Sequence, residues 1–560
     1  MSERARAFHP LLAGAVCGAA WADVLIGLNP PLLGYKPAVR MLVYVALLGA
    51  AAAVPLAFLR RRATGPSRSG WALLAVFFAL FTGFAAYQRG LTYDFVPASG
   101  RWVLVAASFV GAFGALVAAA LAWRPPRADS VRLGALLVLG VLFGAVPIVA
   151  HRRPAPAPLA TPPPVPQAPT RNLLVVGLEG VSWERITAGA SDGSLPVFAS
   201  LLKDGSAGPL APLVPYDRAA LWTTAATGKR PRKHEIVAEA VLETPGGLLR
   251  LLPGLPGTSL RIGLPFGTWR EVHGSERLSL SFWEILARRG HEAAVLNWPA
   301  SSPARPGLVL WAGDRAFSMA PAPDAVLPAD AAARLGYFRV DPSRLDRPLV
   351  RSLTPAGLRP DLAASTTLAA AAADLTVLGA ALGWLPSGPS NVSVLVLSGA
   401  SVVSGPFGAA DDARAWGLPV PDAEAKARAR KAYDRFLDDL LRDLVEREGR
   451  DRTICIFAPA SWGPPLPLDA LGQFLSGEPP RAGPGAADDG FILLVGAGIR
   501  SGARLTSATV LDLAPTLLVL AGEPMARDMD GRVLAEAFDA RLSEGPGIPI
   551  ITSFEPEGPQ

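Results

Sequence analysis

Before residue 151 the chain strings together five apolar runs, near 9–28, 38–59, 70–88, 102–123 and 131–150. Each spans roughly 18–23 residues, enough for a helix rising about 1.5 Å per residue to cross a hydrocarbon core of about 30 Å. A segment in hydrocarbon must satisfy its own backbone polar groups, so runs of this kind fold as helices. The sequence therefore predicts five transmembrane helices over residues 1–151. With 560 residues and 50% apolar content, the chain reads as a membrane portion followed by a soluble one.

The first run also has the marks of a signal peptide: Arg4 and Arg6 precede it, and Ala20, Trp21 and Ala22 offer a small-residue cleavage site. Apolar residues continue to Leu28, which favours an uncleaved helix. Arg60, Arg61, Arg62 and Arg68 share one short loop, and Arg124, Arg127 and Arg132 another, which places these loops and the N-terminus inside. The outer loops hold Lys36, Arg40, Arg89 and Arg101, although Arg152 and Arg153 follow the last run. That topology puts the large C-terminal portion outside the cytoplasm, anchored in the cell membrane. Asp23 is the one acid well inside a span; its place near a helix end reads as a solvated or snorkelling position. The spans show no cluster of polar residues, so they read as a simple anchor rather than a lipid- or small-molecule-handling unit.

The net charge of +6 comes with many arginines beside the spans and no basic run interleaved with aromatics, so nucleic acid is not an expected partner. Cys17 and Cys455, the two cysteines, have neither CxxC spacing nor an evident pairing and read as buried hydrophobes.

Residues 152–170 form a linker that is almost a proline ladder, PAPAPLATPPPVPQAPT, which favours an extended conformation and cannot pack a core. From 171 to 540 short apolar runs alternate with helical stretches, the pattern of an α/β domain with a largely parallel sheet. Strands are predicted at Asn172–Leu178, Ala293–Asn297, Val392–Leu397, Thr453–Ala458 and Phe491–Val495. Helices are predicted at Leu195–Lys203, Asp217–Thr227, Ser281–Arg289 and Asp422–Glu448, with Pro515 opening another at Thr516–Ala521. In Asp422–Glu448 a stripe of Tyr433, Phe436, Leu437, Leu440, Leu441 and Leu444 faces a core. Residues 541–560 are left as a tail.

Several ordered pieces of this domain carry a family likeness: LLVVGLEGVSW at 173–183, LPVFASLLKDGSAGPL at 195–210, LWTTAATGKRPRKHEI at 221–236, FWEILARRGHEAAVLNWP at 282–299, AYDRFLDDLL at 432–441 and the stretch 498–534. Together they resemble the alkaline phosphatase superfamily, and within it the type I phosphodiesterase and nucleotide pyrophosphatase branch. The resemblance implies an α/β/α sandwich, with a mixed, largely parallel sheet and a site at the carboxyl ends of the strands. It also implies two divalent metals, usually zinc, held by aspartates and three histidines, with a Thr or Ser attacking phosphorus. Such a pair of metals clamps the attacking and leaving oxygens and neutralises the phosphoryl charge.

Laid residue by residue on that pattern, the chain departs from it. The first metal aspartate corresponds to Glu179, in Gly177-Leu178-Glu179-Gly180, and the nucleophile to Arg218, ten residues before Gly228. Arginine cannot attack phosphorus. The neighbouring hydroxyls of Thr223 and Thr224 match positions that the resemblance implies are structural, and Asp217, one residue away, has a different side-chain direction, so a displaced nucleophile is not expected. The DxxxH pair falls on Ser401 and Gly405, the DHG motif on Pro459-Ala460-Ser461, and the last histidine near Ala486. No histidine follows His291, so no shift of register supplies these ligands. His234 reads as a turn residue, His273 and His291 as surface or supporting residues, Asp488 and Asp489 as a solvated pair, and Asp528 and Asp530 as turn formers.

Glu179, Asp217, Arg218 and Ser401 are thus the candidates for a degenerate site, with an Arg218–Glu179 ion pair expected in the space of a metal. The expectation is a membrane-anchored pseudoenzyme without cofactor, which binds an anionic ligand or a protein partner outside the cytoplasm. The alternative is an active metal-dependent phosphoric-ester hydrolase or phospho-group transferase, with zinc at an atypical site.

Overall fold

The computed structural model describes residues 3–29, 32–33, 35–55, 68–124, 129–146, 172–250, 267–317, 324–358, 362–384, 391–404, 423–448, 452–461, 489–539 and 548–555. The chain divides into two compact units. One comprises residues 1–155 with 240–252 and 261–271, the other residues 156–239, 253–260 and 272–560.

The first unit is built on helices Glu3–Leu28, Tyr35–Ala52, Arg68–Leu91, Ala98–Trp123 and Asp129–Ala145. Four of them contain spans long and apolar enough to cross a membrane. The fifth expected run, 131–150, gives a shorter apolar helix of 17 residues, and positions 147–150 lie outside the described residues. Small residues bring the backbones together: Gly14 lies against Gly49, Gly18 against Val45 and Ala46, and Gly27 against Gly100. Asp23 corrects the snorkelling expectation, because it is fully buried.

A three-stranded antiparallel sheet belongs to this same unit. Its strands, in chain order, are β3 (Ala240–Thr244), β4 (Gly247–Arg250) and β5 (Thr268–Glu271), with β3 central. The β3–β4 turn sets Gly246 against Met41 and Tyr44, and Gly247 against Leu32, while the Arg250 amide donates to Asn29 Oδ1 at the end of the first helix.

The second unit centres on a nine-stranded sheet in the order β12-β2-β11-β10-β1-β9-β6-β7-β8. Its strands are β1 (Leu173–Leu178), β2 (Ser206–Ala211), β6 (Ala293–Leu296), β7 (Leu310–Ala312), β8 (Val326–Leu327), β9 (Val392–Leu397), β10 (Thr453–Ala460), β11 (Asp489–Val495) and β12 (Ala508–Thr509). β10, β1, β9, β6 and β7 run parallel, whereas β11 is antiparallel to both its neighbours and β8 to β7. Alternation along β1 separates two cores: Leu174, Val176 and Leu178 face one, Leu173 and Val175 the other. Helices Trp183–Ser191, Pro196–Asp204, Leu362–Trp384 and Ala423–Glu448 cover the first face, and Arg218–Thr227, Phe282–Arg288 and Leu513–Leu520 the second. This is the expected α/β/α sandwich.

The predicted strands and helices recur within a few residues of their expected ends. One helix begins earlier than expected, at Leu513, with Pro515 at its third position, where a missing amide proton costs nothing. Leu362–Trp384 escaped the sequence reading. Its Ala364–Trp384 stretch has the length and hydropathy of a membrane span, but Ala370, Ala371, Val377, Leu378, Ala380 and Ala381 are buried in the sheet's core.

Candidate functional site

β1 and β9 end side by side, and their carboxyl ends carry Glu179 and Ser398, with residues 399–404 starting a helix after β9. Glu179 continues the ladder, its amide donating to the Leu397 carbonyl at 3.0 Å. The chain then turns at Gly180, which has φ +84°. A Cβ there would lie 2.5 Å from Ser401 Cα, so glycine is required both for the left-handed turn and for the close approach. Ser182 caps the next helix, its hydroxyl accepting from the Arg185 amide.

The opposite wall is the helix Arg218–Thr227. Asp217 caps it, Oδ1 accepting from the Ala220 amide at 3.0 Å and Oδ2 from the Glu239 amide at 3.1 Å. Trp222 holds it to the sheet: a Cβ on Gly177 would meet the indole at 2.7 Å, and the ring packs edge-on to Trp298 and Phe457 at 5.1 and 5.5 Å. Arg218 lies one turn earlier on the same face, and Glu179 lies two residues beyond Gly177 on β1. The two side chains consequently meet.

They meet as a fork. Arg218 Nε donates to Glu179 Oε1, and Nη2 donates to Oε2 at 2.9 Å. Nη1 reaches Glu239 Oε1 at 3.3 Å. The Glu179 side chain is 3% exposed and that of Arg218 26%, so the carboxylate is enclosed and the guanidinium reaches solvent at one edge. The Glu179 carboxylate, coulombically and by hydrogen bonding, holds the Arg218 guanidinium above its ordinary basicity against the effect of burial. Burial pushes the Asp217 carboxyl up to about 7, although the amides of Ala220 and Glu239 pull the other way.

Beneath Ser401 lies a second buried carboxyl. Asp374 accepts from the Tyr433 hydroxyl at 2.9 Å and from the Gly399 amide at 3.1 Å, and burial raises it to about 7. Arg185 ties the same region together, donating to the Gly180 carbonyl at 2.6 Å, to Ser404 Oγ at 3.1 Å and to Asp434. Ser401 donates to the Ser398 carbonyl at 3.0 Å.

Glu179, Asp217 and Arg218 are therefore brought together, with Ser401 packed behind Gly180. Sequence reasoning missed Glu239, Asp374 and Arg185. Only the motif position of Glu179 hinted at such a neighbourhood, because Glu239 and Asp374 come from segments distant in the chain, and Arg185, six residues on, carries no motif of its own.

The donors do not suit a metal pair. Glu179 is engaged at both oxygens by a guanidinium, Pro459, Ala460 and Ser461 stand at the DHG position, and no group of three or more His, Cys, Asp or Glu side chains converges among the described residues. Gly405, Ala486 and Asp488 lie outside the described residues, and their segments contain no histidine. His234 is buried, Nδ1 accepting from the Ile236 amide at 3.2 Å, which leaves Nε2 to donate to Thr224 Oγ1 at 3.0 Å. His291 is buried beside Glu523 at 3.0 Å, just before β6 and hence at the opposite end of the sheet.

A family model for type I phosphodiesterase/nucleotide pyrophosphatase matches residues 173–458. No curated protein sequence matches the chain. Among solved structures it is similar to a phosphonate monoester hydrolase from Silicibacter pomeroyi, at 12% identity and TM-score 0.40 over 67% of this chain and 77% of the other. The alkaline phosphatase PafA gives 12% identity and TM-score 0.40, over 67% of this chain and all (100%) of the other. Human ectonucleotide pyrophosphatase/phosphodiesterase 5 gives 11% and 0.35, over 65% and 97%.

Proposed function

The chain belongs to the type I phosphodiesterase/nucleotide pyrophosphatase family, and from that membership we propose that it is a membrane-anchored, non-catalytic relative whose domain outside the cytoplasm holds a ligand or partner instead of cleaving phosphate esters. The observation that carries this reading is the fork between Arg218 and Glu179. It places a cation on a side chain where the family resemblance calls for a metal, and leaves no hydroxyl at the nucleophile position. Neither zinc nor another cofactor is required by such a site. The exposed edge of Arg218, with half-exposed Glu239 beside it, is the part a ligand meets. A phosphate or carboxylate there would compete with Glu239 for the guanidinium.

The arginine-rich loops support the outside placement of the domain. Strands β3, β4 and β5, which lie between Glu239 and Val272, belong to the helical unit, and their sheet packs at the C-terminal end of the first helix, the end assigned to the outer face.

The test uses the full chain, purified in detergent. Bound zinc and manganese are measured, and phosphomonoesters and phosphodiesters are assayed with each metal added. The expected result is neither stoichiometric metal nor turnover. Turnover that Glu179→Ala abolishes would establish the hydrolase alternative and overturn the proposal. A reporter fused to the C-terminus tests the placement of the domain independently.

A further inference from the structure

Two polar side chains inside the helical unit stand apart from their neighbours. Asp23 in the first helix and Gln88 in Arg68–Leu91 are both fully buried. Neither carboxylate oxygen of Asp23, and neither amide atom of the Gln88 side chain, has a hydrogen-bond partner among the described residues. Nearby polar groups do have partners: Asn29 Nδ2 donates to the Leu25 carbonyl at 2.6 Å, and the Thr92 hydroxyl to the Gln88 carbonyl at 2.6 Å. At Asp23 and Gln88 every polar side-chain atom lacks such a partner.

Packing brings both to one level of the bundle. Gly27 lies against Gly100 and Leu104 of helix Ala98–Trp123. Leu12 and Ala13 pack in a cluster with Ala118, so the first helix runs antiparallel to that helix. Asp23, one turn before Gly27 on the same face, therefore sits near Leu104 and Ala107. On the other side Phe78 lies against Gly114 and Phe81 against Gly111, again antiparallel. Two turns beyond Phe81 on the same face, Gln88 arrives opposite Leu104. Trp21, tilted against Phe84 with ring centroids 5.2 Å apart, sets the first and third helices at matching heights.

A carboxylate in such surroundings is costly unless something neutralises it, and intramembrane acids mark functional positions by default. Arg101, at the start of the fourth helix, does not serve, because Nη1 donates to the Tyr93 and Val96 carbonyls and the guanidinium covers the Tyr93 ring at 4.3 Å. What Asp23 and Gln88 offer together is one negative charge and hard oxygen donors, without sulfur or imidazole. That donor set suits a hard cation, and a single carboxylate balances a single positive charge.

We infer that Asp23 and Gln88 form a binding site for a small monovalent cation within the helical unit, the carboxylate supplying charge and the amide carbonyl a neutral oxygen. A proton competes for the same carboxylate. The site is independent of the Arg218–Glu179 fork, and it makes the helices more than the simple anchor the sequence implied.

The test is carbodiimide labelling of the full chain in detergent, with dicyclohexylcarbodiimide as the probe for a protonated carboxyl in apolar surroundings and mass spectrometry to locate the adduct. In choline chloride the adduct is expected on Asp23. Sodium or lithium chloride at matched ionic strength is expected to slow its formation about tenfold, and Gln88→Ala to weaken that protection about tenfold, the effect of losing one oxygen ligand. Asp23→Asn keeps the shape of the side chain. It is expected to remain folded and to lose any shift of the unfolding midpoint by alkali ions. Labelling that pH changes but no alkali ion changes would assign the site to the proton alone and overturn the inference. Failure of Asp23 to label in choline at any pH from roughly 5 to 8 would overturn it too, since an exchanging site must be reachable in its protonated form.

Discussion

Removing Arg218 measures what the fork contributes. In Arg218→Ala the Glu179 carboxyl group, 3% exposed, loses its fork partner. Breaking a buried pair in this way costs about 3–5 kcal/mol. Here the arginine is 26% exposed, so water reaches part of the vacated space and the figure falls to about 2–3 kcal/mol. For a unit of this size, unfolding with about 2.1 cal/mol/K per residue, that is a fall of roughly 3–4 °C in midpoint. Glu179→Gln should cost less, about 1 kcal/mol, because the remaining guanidinium already reaches solvent and Glu239. The pair Glu179→Leu/Arg218→Met removes both charges and fills the space with carbon, so most of the loss should return. The assay is thermal unfolding of the full chain in detergent, with the native protein, Glu179→Leu, Arg218→Met and the double variant forming the cycle. If the double variant loses the sum of its singles to within about 0.5 kcal/mol, the two groups are uncoupled and the reasoning fails.

Gly180→Ala has neither conformational freedom nor room, with φ +84° and Ser401 Cα 2.5 Å from the new carbon, and is expected to lose about 2–4 kcal/mol, read as a lower unfolding midpoint. Asp374 titrates at about 7 folded, against about 3.9 unfolded, so the folded state binds the extra proton between those values. Stability should therefore decline as pH rises from about 4 through about 7, and Asp374→Asn should flatten the profile, leaving the part that Asp217 contributes in the same window. Added zinc should leave the unfolding midpoint unchanged, since any ligand that binds only the folded state would raise it.

The layers of the domain were legible because β1, β9, β10 and β11 are short, predominantly apolar runs, and because the stripe from Tyr433 to Leu444 keeps helical period. Leu362–Trp384 was not, because an alanine-rich helix buried on most sides has no polar face to give it a period. At the site, the meeting of Glu179 with Arg218 was readable from family spacing. The approach of Glu239 was not, since it depends on where β3 leaves the domain. Asp23 was misjudged for a related reason: position near a helix end suggests water, but the neighbouring helices decide whether water arrives.

The three strands between Glu239 and Val272 bear on how this molecule can be divided. They are encoded in the midst of the domain, yet they bury Val241, Leu242 and Leu249 in the unit that contains the helices. A fragment starting after the proline ladder would carry this sheet without the Asn29, Leu32 and Met41 it rests on. No single cut in the gene releases a self-sufficient soluble protein, and a workable fragment must also replace residues 240–271 with a short turn.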